Sequence, residues 1–366
     1  MNTILFILLF IVPVCADFVV ISDIHYDQLY MVGSPTKCFL GDTGMGCCRN
    51  SSIPLKGSTP ALKFGEFTCD SPQSLLDITF EWLTTLSVDY LVFLGDIVDH
   101  DLLIQNSTYN LKEISTLGKY FKTLPYPTFS LMGNHDSFMV DNLWDDDRGR
   151  EWLRTVQIEY GNPTNLGIGG YYSVMKDNKR FIFLNCLGYD THNIEIMKNP
   201  RHDMFNQSIW FAGQIDEVKK LNQTVYLFSH FGSETGEATD YYNMMISSIN
   251  YPNIVYFAGH SHHDEIRPMT NTTFFYINPS LVPDKHFPEV RVYVENNGAI
   301  TDYIQYGFNL TSANLGEPTA FEIVYSAKES YTLSDLSPKE WIDFINRMQT
   351  NKTLEALYNY HENWGF

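Results

Sequence analysis

The sequence predicts an α/β fold in which two β-sheets pack face to face as a sandwich and helices cover the outer faces. The first observation is a set of short apolar runs, rich in β-branched and aromatic residues, that are typical of buried strands. The second is that segments with a helical spacing of apolar residues separate these runs. The third is that five of the runs lead directly into an aspartate, histidine or asparagine. These five runs are Phe18–Ile21, Tyr90–Leu94, Thr128–Met132, Val225–Phe228 and Ile254–Ala258.

Helices are predicted between the strands from their start and stop signals. Asp70-Ser71-Pro72 is typical of a helix start, and apolar residues follow it at helical spacing. Pro125 would stop the second predicted helix, Leu111–Leu124, because proline cannot continue the hydrogen-bonding pattern. Two further helices are predicted before the tail, at Asp141–Tyr160 and Ser208–Leu221.

Four further strands are predicted later in the chain. Two short apolar runs lie at 170–174 and 181–184. Runs at Thr273–Ile277 and Val290–Val294 alternate apolar and polar residues, as half-buried strands do. Together with the five runs above, they supply enough strands for two sheets.

The tail, residues 301–366, is predicted to form a helical subdomain that packs on a larger domain of residues 17–300. Ser337 is a typical N-cap, with Pro338 at the first helical position. A second helix is predicted at Thr353–His361. The alternative is a helix that lies on a membrane surface, but its polar face carries acidic as well as basic residues.

The charge of the chain limits the kind of partner. The 366 residues carry 24 Lys and Arg against 43 Asp and Glu, a formal net charge of −19. Phosphate backbones bind to basic surfaces, so a nucleic-acid polymer is excluded as a partner. The charge says nothing against a small phosphate ester as a partner. Taken alone, the charge predicts no more than a soluble acidic surface.

Residues 1–16 are predicted to be a signal peptide. The apolar stretch Ile4–Val14 is short for a membrane span, and Val14-Cys15-Ala16 supplies small residues for cleavage. The stretch has no Lys or Arg before it, so an uncleaved anchor is the alternative. No later segment is long and apolar enough to be predicted as a membrane span. We expect a protein that is secreted or lies in the lumen of a lysosome or vesicle.

Glycosylation and cysteine content agree with that compartment. Seven Asn-x-Ser/Thr acceptors predict N-linked glycans. Four cysteines crowd into a Gly/Pro/Ser-rich stretch, which predicts a loop held by disulfides. Cys47 and Cys48 are expected to pair with Cys38 and Cys69 in an order that the sequence leaves open, while Cys186 is expected to be a buried thiol. A zinc cluster is the alternative, but paired C-x-x-C motifs are absent. The acceptors are Asn50, Asn106, Asn206, Asn222, Asn271, Asn309 and Asn351.

The residues that follow the first five strands have the chemistry of metal ligands. Ligands in α/β sheets bind at the carboxyl ends of the strands, so these side chains are expected to converge on one place. Aspartates, histidines and one asparagine would suit a hydrolytic centre with two metal ions. The candidate metal ligands are Asp23, His25, Asp96, Asn134, His230, His260 and His262.

This arrangement resembles the calcineurin-like metallophosphoesterase superfamily. Its pattern of D-x-H, G-D-x-x-D, G-N-H-[DE], a lone His and G-H-x-H is present in order. The resemblance implies the αββα form of the two-sheet fold. It also implies two groups of ligands around two divalent metal ions, with Asp96 shared between them. The groups are Asp23, His25 and His262 for the first ion, and Asn134, His230 and His260 for the second.

Mixed imidazole and carboxylate ligands suit zinc, iron or manganese, and zinc is expected because the reaction needs no redox change at the metal. A hydroxide held between the two ions is expected to attack phosphorus in line with the leaving oxygen. His135 is expected to give the leaving oxygen its proton, and Asp136 to orient the His135 ring. His100 is the second candidate for proton donor or phosphate contact.

Within the superfamily, the chain resembles the acid sphingomyelinases and the acid sphingomyelinase-like phosphodiesterases. The segments that carry this resemblance are Ser22–Tyr30, Cys69–Pro72, His100 and Leu333–Pro338. Purple acid phosphatases have a tyrosine where this chain has Asp99. The branch pattern has Pro-Pro where Val98-Asp99 stand here, and Gly-His-Ser-His replaces the commoner Gly-His-Thr-His.

The resemblance leaves the substrate open. Acid sphingomyelinase carries a lipid-handling saposin domain before its catalytic domain, whereas the first strand here begins at Phe18. The expected substrates are therefore sphingomyelin-like phosphodiesters or nucleotides, and a lipid substrate would add transient contact with a membrane surface. A secreted acid phosphomonoesterase and a catalytically silent metal-binding glycoprotein are the alternatives.

Overall fold

The computed structural model describes residues 17–39, 46–162, 169–176, 178–233, 236–270, 273–283, 285–317 and 320–363. The predicted signal peptide and the predicted acceptor Asn271 lie outside these ranges. The other six acceptors are exposed.

Twelve strands are present in the described ranges. In chain order they are β1 (Phe18–Ile21), β2 (Tyr90–Phe93), β3 (Thr128–Ser130), β4 (Tyr172–Lys176), β5 (Lys179–Phe183), β6 (Thr224–Phe228), β7 (Ile254–Ala258), β8 (Glu265–Thr270), β9 (Thr273–Ile277), β10 (Glu289–Asn296), β11 (Ala299–Phe308) and β12 (Phe321–Ser326).

The strands form two mixed sheets of six strands each. Sheet I has the order β12-β11-β10-β1-β2-β3, and sheet II has the order β4-β5-β6-β7-β9-β8. Strands β1, β2 and β3 are parallel to one another, as are β5, β6, β7 and β9. All strands that precede predicted ligands therefore belong to parallel sets, so each set has its carboxyl ends at one edge of its sheet.

Ten α-helices and two 3₁₀ turns are present in the described ranges. The helices are α1 (Gln73–Leu83), α2 (Ser107–Phe121), α3 (Asp147–Tyr160), α4 (Ile194–Lys198), α5 (Gln207–Leu221), α6 (Asp240–Ser247), α7 (Leu310–Asn314), α8 (Ala327–Tyr331), α9 (Pro338–Thr350) and α10 (Lys352–Glu362). The 3₁₀ turns are Cys186–Tyr189 and Met204–Asn206.

Side-chain caps explain where the predicted helix starts were wrong. Helix α2 begins before the predicted Leu111, because the Asn106 side chain accepts hydrogen bonds from two backbone N–H groups of the first turn. Helix α3 begins after the predicted Asp141, because Asp146 caps it in the same way. Helices α1 and α5 lie where the sequence predicted them.

The two sheets pack face to face through aromatic side chains. Phe18 on β1 stacks on Tyr90 of β2, with 4.9 Å between ring centroids. The ring of Phe18 also meets Phe257 of β7 edge to face at 5.8 Å. On the outer faces, α1 to α3 pack on sheet I, and α5 and α6 pack on sheet II. The predicted two-sheet sandwich with flanking helices is confirmed.

The tail differs from the prediction in its first half. Residues predicted as the start of a helical subdomain form β11 and β12, which extend sheet I by two strands. The change from strands to helices that was predicted at residue 301 is therefore wrong, because strands continue to Ser326. The predicted final helices are present as α9 and α10, and the Ser337 side chain caps α9.

Helices α9 and α10 are fixed to the sandwich by buried polar contacts. Trp341 of α9 donates from Nε1 to the Tyr276 hydroxyl at 2.8 Å. The hydroxyl of Tyr358 on α10 accepts from the backbone N–H of Ile266 at 3.0 Å. Helices α9 and α10 are therefore packed on the sandwich.

A buried group of charges joins β10 and β11 of sheet I to the segment before β8 of sheet II, and we name it the Arg291 cluster. Arg291 is fully buried and forms an ion pair with Asp264. Its Nε donates to Gln305 at 2.8 Å, and its guanidinium lies 4.1 Å from the centroid of the Tyr303 ring. Glu289 is 2 % exposed beside them, and burial raises the pKa of its carboxyl well above the usual range. The cluster consists of Arg291, Asp264, Gln305, Tyr303 and Glu289.

The predicted disulfide-held loop is confirmed, and the structure settles its connectivity. Cys38 pairs with Cys47, and Cys48 pairs with Cys69. Cys186 is buried and is not in a disulfide, as predicted. Within the described ranges, every helix is too short or too polar to cross a membrane.

Candidate metal centre

The seven predicted ligands meet at one edge of the sandwich, where loops from the two sheets contact each other. The loop after β1 hydrogen-bonds to the loop after β2, with the backbone N–H of Asp23 donating to Gly95 at 3.0 Å. The loop after β7 is joined to the loop after β1, because the backbone N–H of His260 donates to the Asp23 carboxylate at 2.9 Å. Sheets I and II therefore both contribute to one centre.

Most of the predicted ligands have an unusual backbone conformation. Five of them have positive φ angles between 42° and 71°, a region that costs a non-glycine residue free energy. Such residues concentrate at functional sites, where packing around them holds the conformation. These five ligands are Asp23, His25, Asp96, His260 and His262.

Two glycines of the motifs are required by close approach at the same place. A Cβ on Gly133 would lie 2.0 Å from the Asp96 carboxylate. A Cβ on Gly259 would lie 1.9 Å from the Ser22 hydroxyl and 2.5 Å from the Asp23 carboxylate. Any larger residue would push a predicted ligand out of position, which explains why glycine precedes Asn134 and His260.

The first predicted group of ligands lies around Asp23 and His25. The His25 ring donates from Nδ1 to the carbonyl of Val98 at 2.8 Å, so Nε2 is the nitrogen that faces the centre. That Nε2 lies 3.6 Å from the Asp96 carboxylate. The Nε2 of His262 lies 3.6 Å from Asp23.

The second group lies on the other side of Asp96. His230 donates from Nδ1 to the carbonyl of Leu94 at 2.8 Å, and its Nε2 lies 3.1 Å from Asp96 and 2.9 Å from the Asn134 side-chain oxygen. The Nδ1 of His260 lies 3.2 Å from the same His230 Nε2. Asp96 thus contacts members of both groups, as a shared ligand would.

The donor atoms fit divalent metal ions. His25, Asp96 and Asp23 offer ligand atoms within 4.8 Å of one another, and so do Asp96, His230 and His260. The Nε2 of His25 is buried and has no hydrogen-bond partner among the described residues. A buried ring nitrogen without a partner is costly unless something else binds it. Imidazole and carboxylate donors suit zinc and similar transition ions.

The charges of these groups are strongly coupled. Burial opposes ionisation of Asp96, but the rings of His230 and His135 hold the pKa of its carboxyl well below the usual range. Burial also opposes the charge on His230, but the carboxylates of Asp96 and Asp23 raise its pKa to about 10. For His25, burial and the neighbouring His100 lower the pKa well below the usual range.

Both predicted proton donors lie at the mouth of this centre. The ring of His100 stacks on that of His25 with 3.7 Å between centroids, and it meets the ring of His135 edge to face at 4.7 Å. His135 donates from Nδ1 to the carbonyl of Asp99 at 3.2 Å. Burial lowers the pKa of His135 to about 4, against the attraction of Asp96.

The structure corrects the contact predicted for Asp136. Its carboxylate does not orient the His135 ring, which bonds to Asp99 instead. The Asp136 oxygens accept from the backbone N–H groups of Asp96 at 2.9 Å, Ile97 at 2.8 Å and Gly133 at 3.0 Å. Asp136 therefore holds the two loops that carry Asp96 and Asn134 in register with each other.

Sequence reasoning missed two carboxylates that position other groups of the centre. Asp70 was predicted only as part of a helix start, yet its carboxylate lies 2.6 Å from His100 Nδ1. Asp141 was predicted as the first residue of a helix, yet it accepts from the Asn134 amide nitrogen at 2.8 Å. That contact turns the Asn134 oxygen toward His230. Both contacts join residues that are distant in the sequence or lie on a loop, so local sequence gave no signal of either role.

A third carboxylate, Glu237, lies near the ligand His260. Its side chain is 3.8 Å from His260 Nε2, the nitrogen that faces away from His230. Interaction with His260 lowers the pKa of Glu237 to about 2. An acidic neighbour behind a ligating imidazole is the usual device that fixes its ring orientation.

This fold and this constellation define a class of protein. The family described as calcineurin-like phosphoesterase matches residues 16–264, which is more than half of the chain. The chain therefore belongs to the calcineurin-like phosphoesterase family.

Similar proteins narrow this to the acid sphingomyelinase-like branch. Sphingomyelin phosphodiesterase A of Dictyostelium discoideum is 30 % identical over 92 % of this chain and 61 % of its own length. The cyclic GMP-AMP phosphodiesterase SMPDL3A of Mus musculus is 25 % identical over 95 % of this chain and 84 % of its own length. Human sphingomyelin phosphodiesterase is 24 % identical over 91 % of this chain and 58 % of its own length. The chain thus spans about three fifths of the sphingomyelin phosphodiesterases that it matches.

A solved structure supports the fold alone. A dimetal phosphatase from Danio rerio superposes with a TM-score of 0.50 at 14 % identity, over 81 % of this chain and 96 % of that one. The likeness agrees with the sandwich of two sheets between helices.

Proposed function

We propose that this chain is a two-metal phosphodiesterase that hydrolyses a small-molecule or lipid phosphate diester. The observation that carries the proposal is the convergence of four imidazoles, two carboxylates and one amide, with the buried Nε2 of His25 unpartnered among the described residues. The names of the relatives, sphingomyelin phosphodiesterase and cyclic GMP-AMP phosphodiesterase, support the diester as the substrate class.

Each ligand is assigned by the atom that its neighbours leave facing the centre. Asp23, His25 and His262 form the first group, and Asn134, His230 and His260 the second. Asp96 lies between the groups, 3.6 Å from His25 Nε2 and 3.1 Å from His230 Nε2. The imidazole-rich set favours zinc in both positions.

When bound, two divalent ions would supply Lewis acidity that activates water and neutralises phosphate oxygens. The chain itself supplies the proton for the leaving oxygen. His135 is the proposed donor, because its ring lies at the mouth of the centre and Asp99 fixes its Nδ1. His100, paired with Asp70, is the second proposed donor or a phosphate contact.

The compartment is proposed from the covalent chemistry of the chain. Two disulfides persist in oxidising environments, and six of the predicted glycan acceptors are exposed. A secreted or lysosomal location with N-linked glycans accounts for both.

The first test compares metal content with turnover in the purified protein. Bis(p-nitrophenyl) phosphate and p-nitrophenyl phosphate are offered in parallel, before and after chelation and after zinc is restored. We expect faster turnover of the diester, its loss with the metal and its return with zinc. Faster turnover of the monoester would favour a phosphomonoesterase, and full activity after complete removal of metal would overturn the proposal.

A pair of adjacent histidines provides a matched control. His262→Ala removes a proposed ligand, whereas His263→Ala changes the next residue and leaves the proposed ligand set intact. We expect His262→Ala to lose metal and activity together and His263→Ala to retain both. Equal metal content in the two variants would remove His262 from the ligand set.

A further inference from the structure

The disulfide-held loop between β1 and α1 exposes many apolar side chains. We name residues 28–69 the cysteine loop, of which 28–39 and 46–69 are described. Phe39 is 73 % exposed and Ile53 is 62 % exposed, and five other large apolar side chains of the loop are also exposed. Apolar patches on a protein surface generally mark a contact site. The other five are Leu29, Met31, Val32, Leu55 and Leu62.

Backbone pairing brings three of these side chains together. The N–H of Phe39 donates to the carbonyl of Ile53 at 3.0 Å, and the N–H of Leu55 donates to the carbonyl of Lys37 at 3.0 Å. Phe39, Ile53 and Leu55 therefore lie at one end of the cysteine loop, and we name them the apolar tip. The disulfide Cys38–Cys47 lies directly beside Phe39, so this end of the loop is covalently closed.

The charge of the cysteine loop is opposite to that of the chain. Lys37, Lys56 and Lys63 are exposed, and residues 28–69 contain four basic residues against two acidic ones, Asp42 and Glu66. Two of these lysines, Lys37 and Lys56, are next to residues of the apolar tip in sequence or in backbone pairing. The whole chain carries a formal charge of −19, so the lysines form a local positive region on an acidic protein.

The cysteine loop is joined rigidly to the metal centre. Arg49 is buried and pairs with Asp27 at 2.6 Å and with Asp99 at 2.7 Å, and Asp99 immediately precedes His100. The disulfide Cys48–Cys69 adds a covalent link. Cys48 precedes Arg49, and Cys69 precedes Asp70, whose carboxylate pairs with His100. A surface that holds the loop would therefore be held at a fixed distance from the centre.

We propose that the described part of the cysteine loop, 28–39 and 46–69, is a docking surface for lipid bilayers with anionic headgroups. Apolar side chains flanked by lysines have the composition of segments that lie at a membrane interface, where the apolar groups enter the headgroup boundary and the lysines meet anionic lipid. The docking surface goes beyond the proposed hydrolysis and is measured without turnover.

A second copy of the chain is a poorer occupant than a bilayer. A symmetric dimer through the apolar tip would bring Lys37 and Lys56 close to the same lysines of the other copy. Like charges at a contact are unfavourable, whereas anionic headgroups neutralise them. Charge complementarity therefore favours the lipid surface.

The test is co-sedimentation of the intact chain, made in a secretory host so that natural glycans such as one at Asn50 are present. The vesicles are phosphatidylcholine with and without phosphatidylglycerol. A variant with Phe39→Ser, Ile53→Ser and Leu55→Ser is compared with a matched control, Ile209→Ser, Leu221→Ser and Met244→Ser, whose three residues are equally exposed on α5 and α6.

We expect the wild type and the control to sediment with anionic vesicles, and the apolar-tip variant to bind at least about tenfold more weakly. Lys37→Glu with Lys56→Glu should reduce the preference for the anionic vesicles. Equal binding of the apolar-tip variant and the wild type would overturn the proposal, as would failure of the wild type to bind. Self-association that only the apolar-tip variant loses would assign the surface to a second copy instead.

Hydrolysis of bis(p-nitrophenyl) phosphate in solution separates the two proposals. The apolar-tip variant should turn over this soluble diester at the wild-type rate, because its three substitutions leave the metal centre unchanged. Vesicle binding without any turnover would leave the docking surface standing and overturn the proposed hydrolysis. Turnover without vesicle binding would leave the proposed hydrolysis standing and overturn the docking surface.

Discussion

The metal centre and the Arg291 cluster are both buried and both rich in charge, but only the Arg291 cluster contains a permanent cation. In that cluster the guanidinium of Arg291 pairs with Asp264 and bonds to Gln305. In the metal centre, imidazole nitrogens and carboxylate oxygens face one another, and His25 Nε2 has no hydrogen-bond partner among the described residues. Buried polar groups need compensation. The first region supplies its own cation, and the second is arranged to take cations from solution.

The largest expected effect comes from removing the shared carboxylate of the metal centre. Asp96→Asn should lose metal and reduce diester turnover by more than about 10³-fold, since both groups of ligands contact Asp96. Metal content by mass spectrometry and turnover are measured on the same sample, with Asp89→Asn as the exposed control. Full metal occupancy in Asp96→Asn would show that Asp96 is not shared.

The corresponding change in the Arg291 cluster should act on folding instead. Arg291→Met leaves Asp264 buried without its cation, which should lower the free energy of unfolding by about 3–5 kcal/mol. Denaturant unfolding in the presence of chelator measures this loss without a contribution from metal. The double variant Arg291→Met with Asp264→Asn should recover part of it. Equal unfolding free energies of Arg291→Met and the wild type would show that the Arg291 cation does not stabilise the fold.

The variant His135→Ala tests whether metal binding and catalysis in the metal centre depend on different residues. Turnover should fall by about 10²–10⁴-fold while metal content stays at the wild-type level, because His135 is a proposed proton donor and not a ligand. His202→Ala, a histidine away from the ligand set, is the control. Unchanged turnover in His135→Ala would leave His100 as the remaining candidate.

A smaller effect is expected from Asp141, which touches the metal centre only through Asn134. Asp141→Ala frees the Asn134 amide to rotate, so the metal concentration needed for half-maximal activity should rise about 10–100-fold. Activity at saturating metal should return to near the wild-type level. Failure of excess metal to restore activity would give Asp141 a role beyond positioning.

The smallest expected effect is a change in the pH dependence of stability. Burial raises the pKa of Glu289 above its unfolded value, so its contribution to stability is present at acidic pH and lost as pH rises toward the folded-state pKa. Glu289→Gln cannot ionise, and its unfolding free energy should fall less between about pH 5 and pH 8 than that of the wild type. Parallel pH profiles for the two proteins would show that Glu289 is not the responsible group.

Much of the site could be predicted because strand ends are visible in a sequence. An apolar run followed by Asp96 or by His230 fixes both the strand and the edge at which the side chain emerges. The sandwich followed from the same runs. The contacts of each run with distant residues are not encoded locally. The sequence therefore predicted which side chains emerge at this edge without giving the distances between them.

The errors came from contacts between residues distant in sequence. Asp136 was expected to serve its neighbour His135, but it accepts from the backbone N–H groups of the loop after β2. The tail was predicted as helical from 301, whereas β11 pairs with β10 and β12 in the structure. The register of these pairs is defined by the folded sheet and is not visible in the local sequence. Asp70 lies next to Cys69, yet its partner His100 is 30 residues later.

The left-handed backbone at five ligands has an evolutionary consequence. At about 1 kcal/mol or more for each non-glycine residue, the five positions together cost roughly 5 kcal/mol, which is comparable to the whole net stability of many domains. Under the proposed function, metal binding requires these residues in spite of that cost, and a descendant that no longer bound metal would gain stability by replacing them with glycine or asparagine. Glycine at Asp23 or His260 would therefore mark an inactive descendant, even one whose overall fold had become more robust.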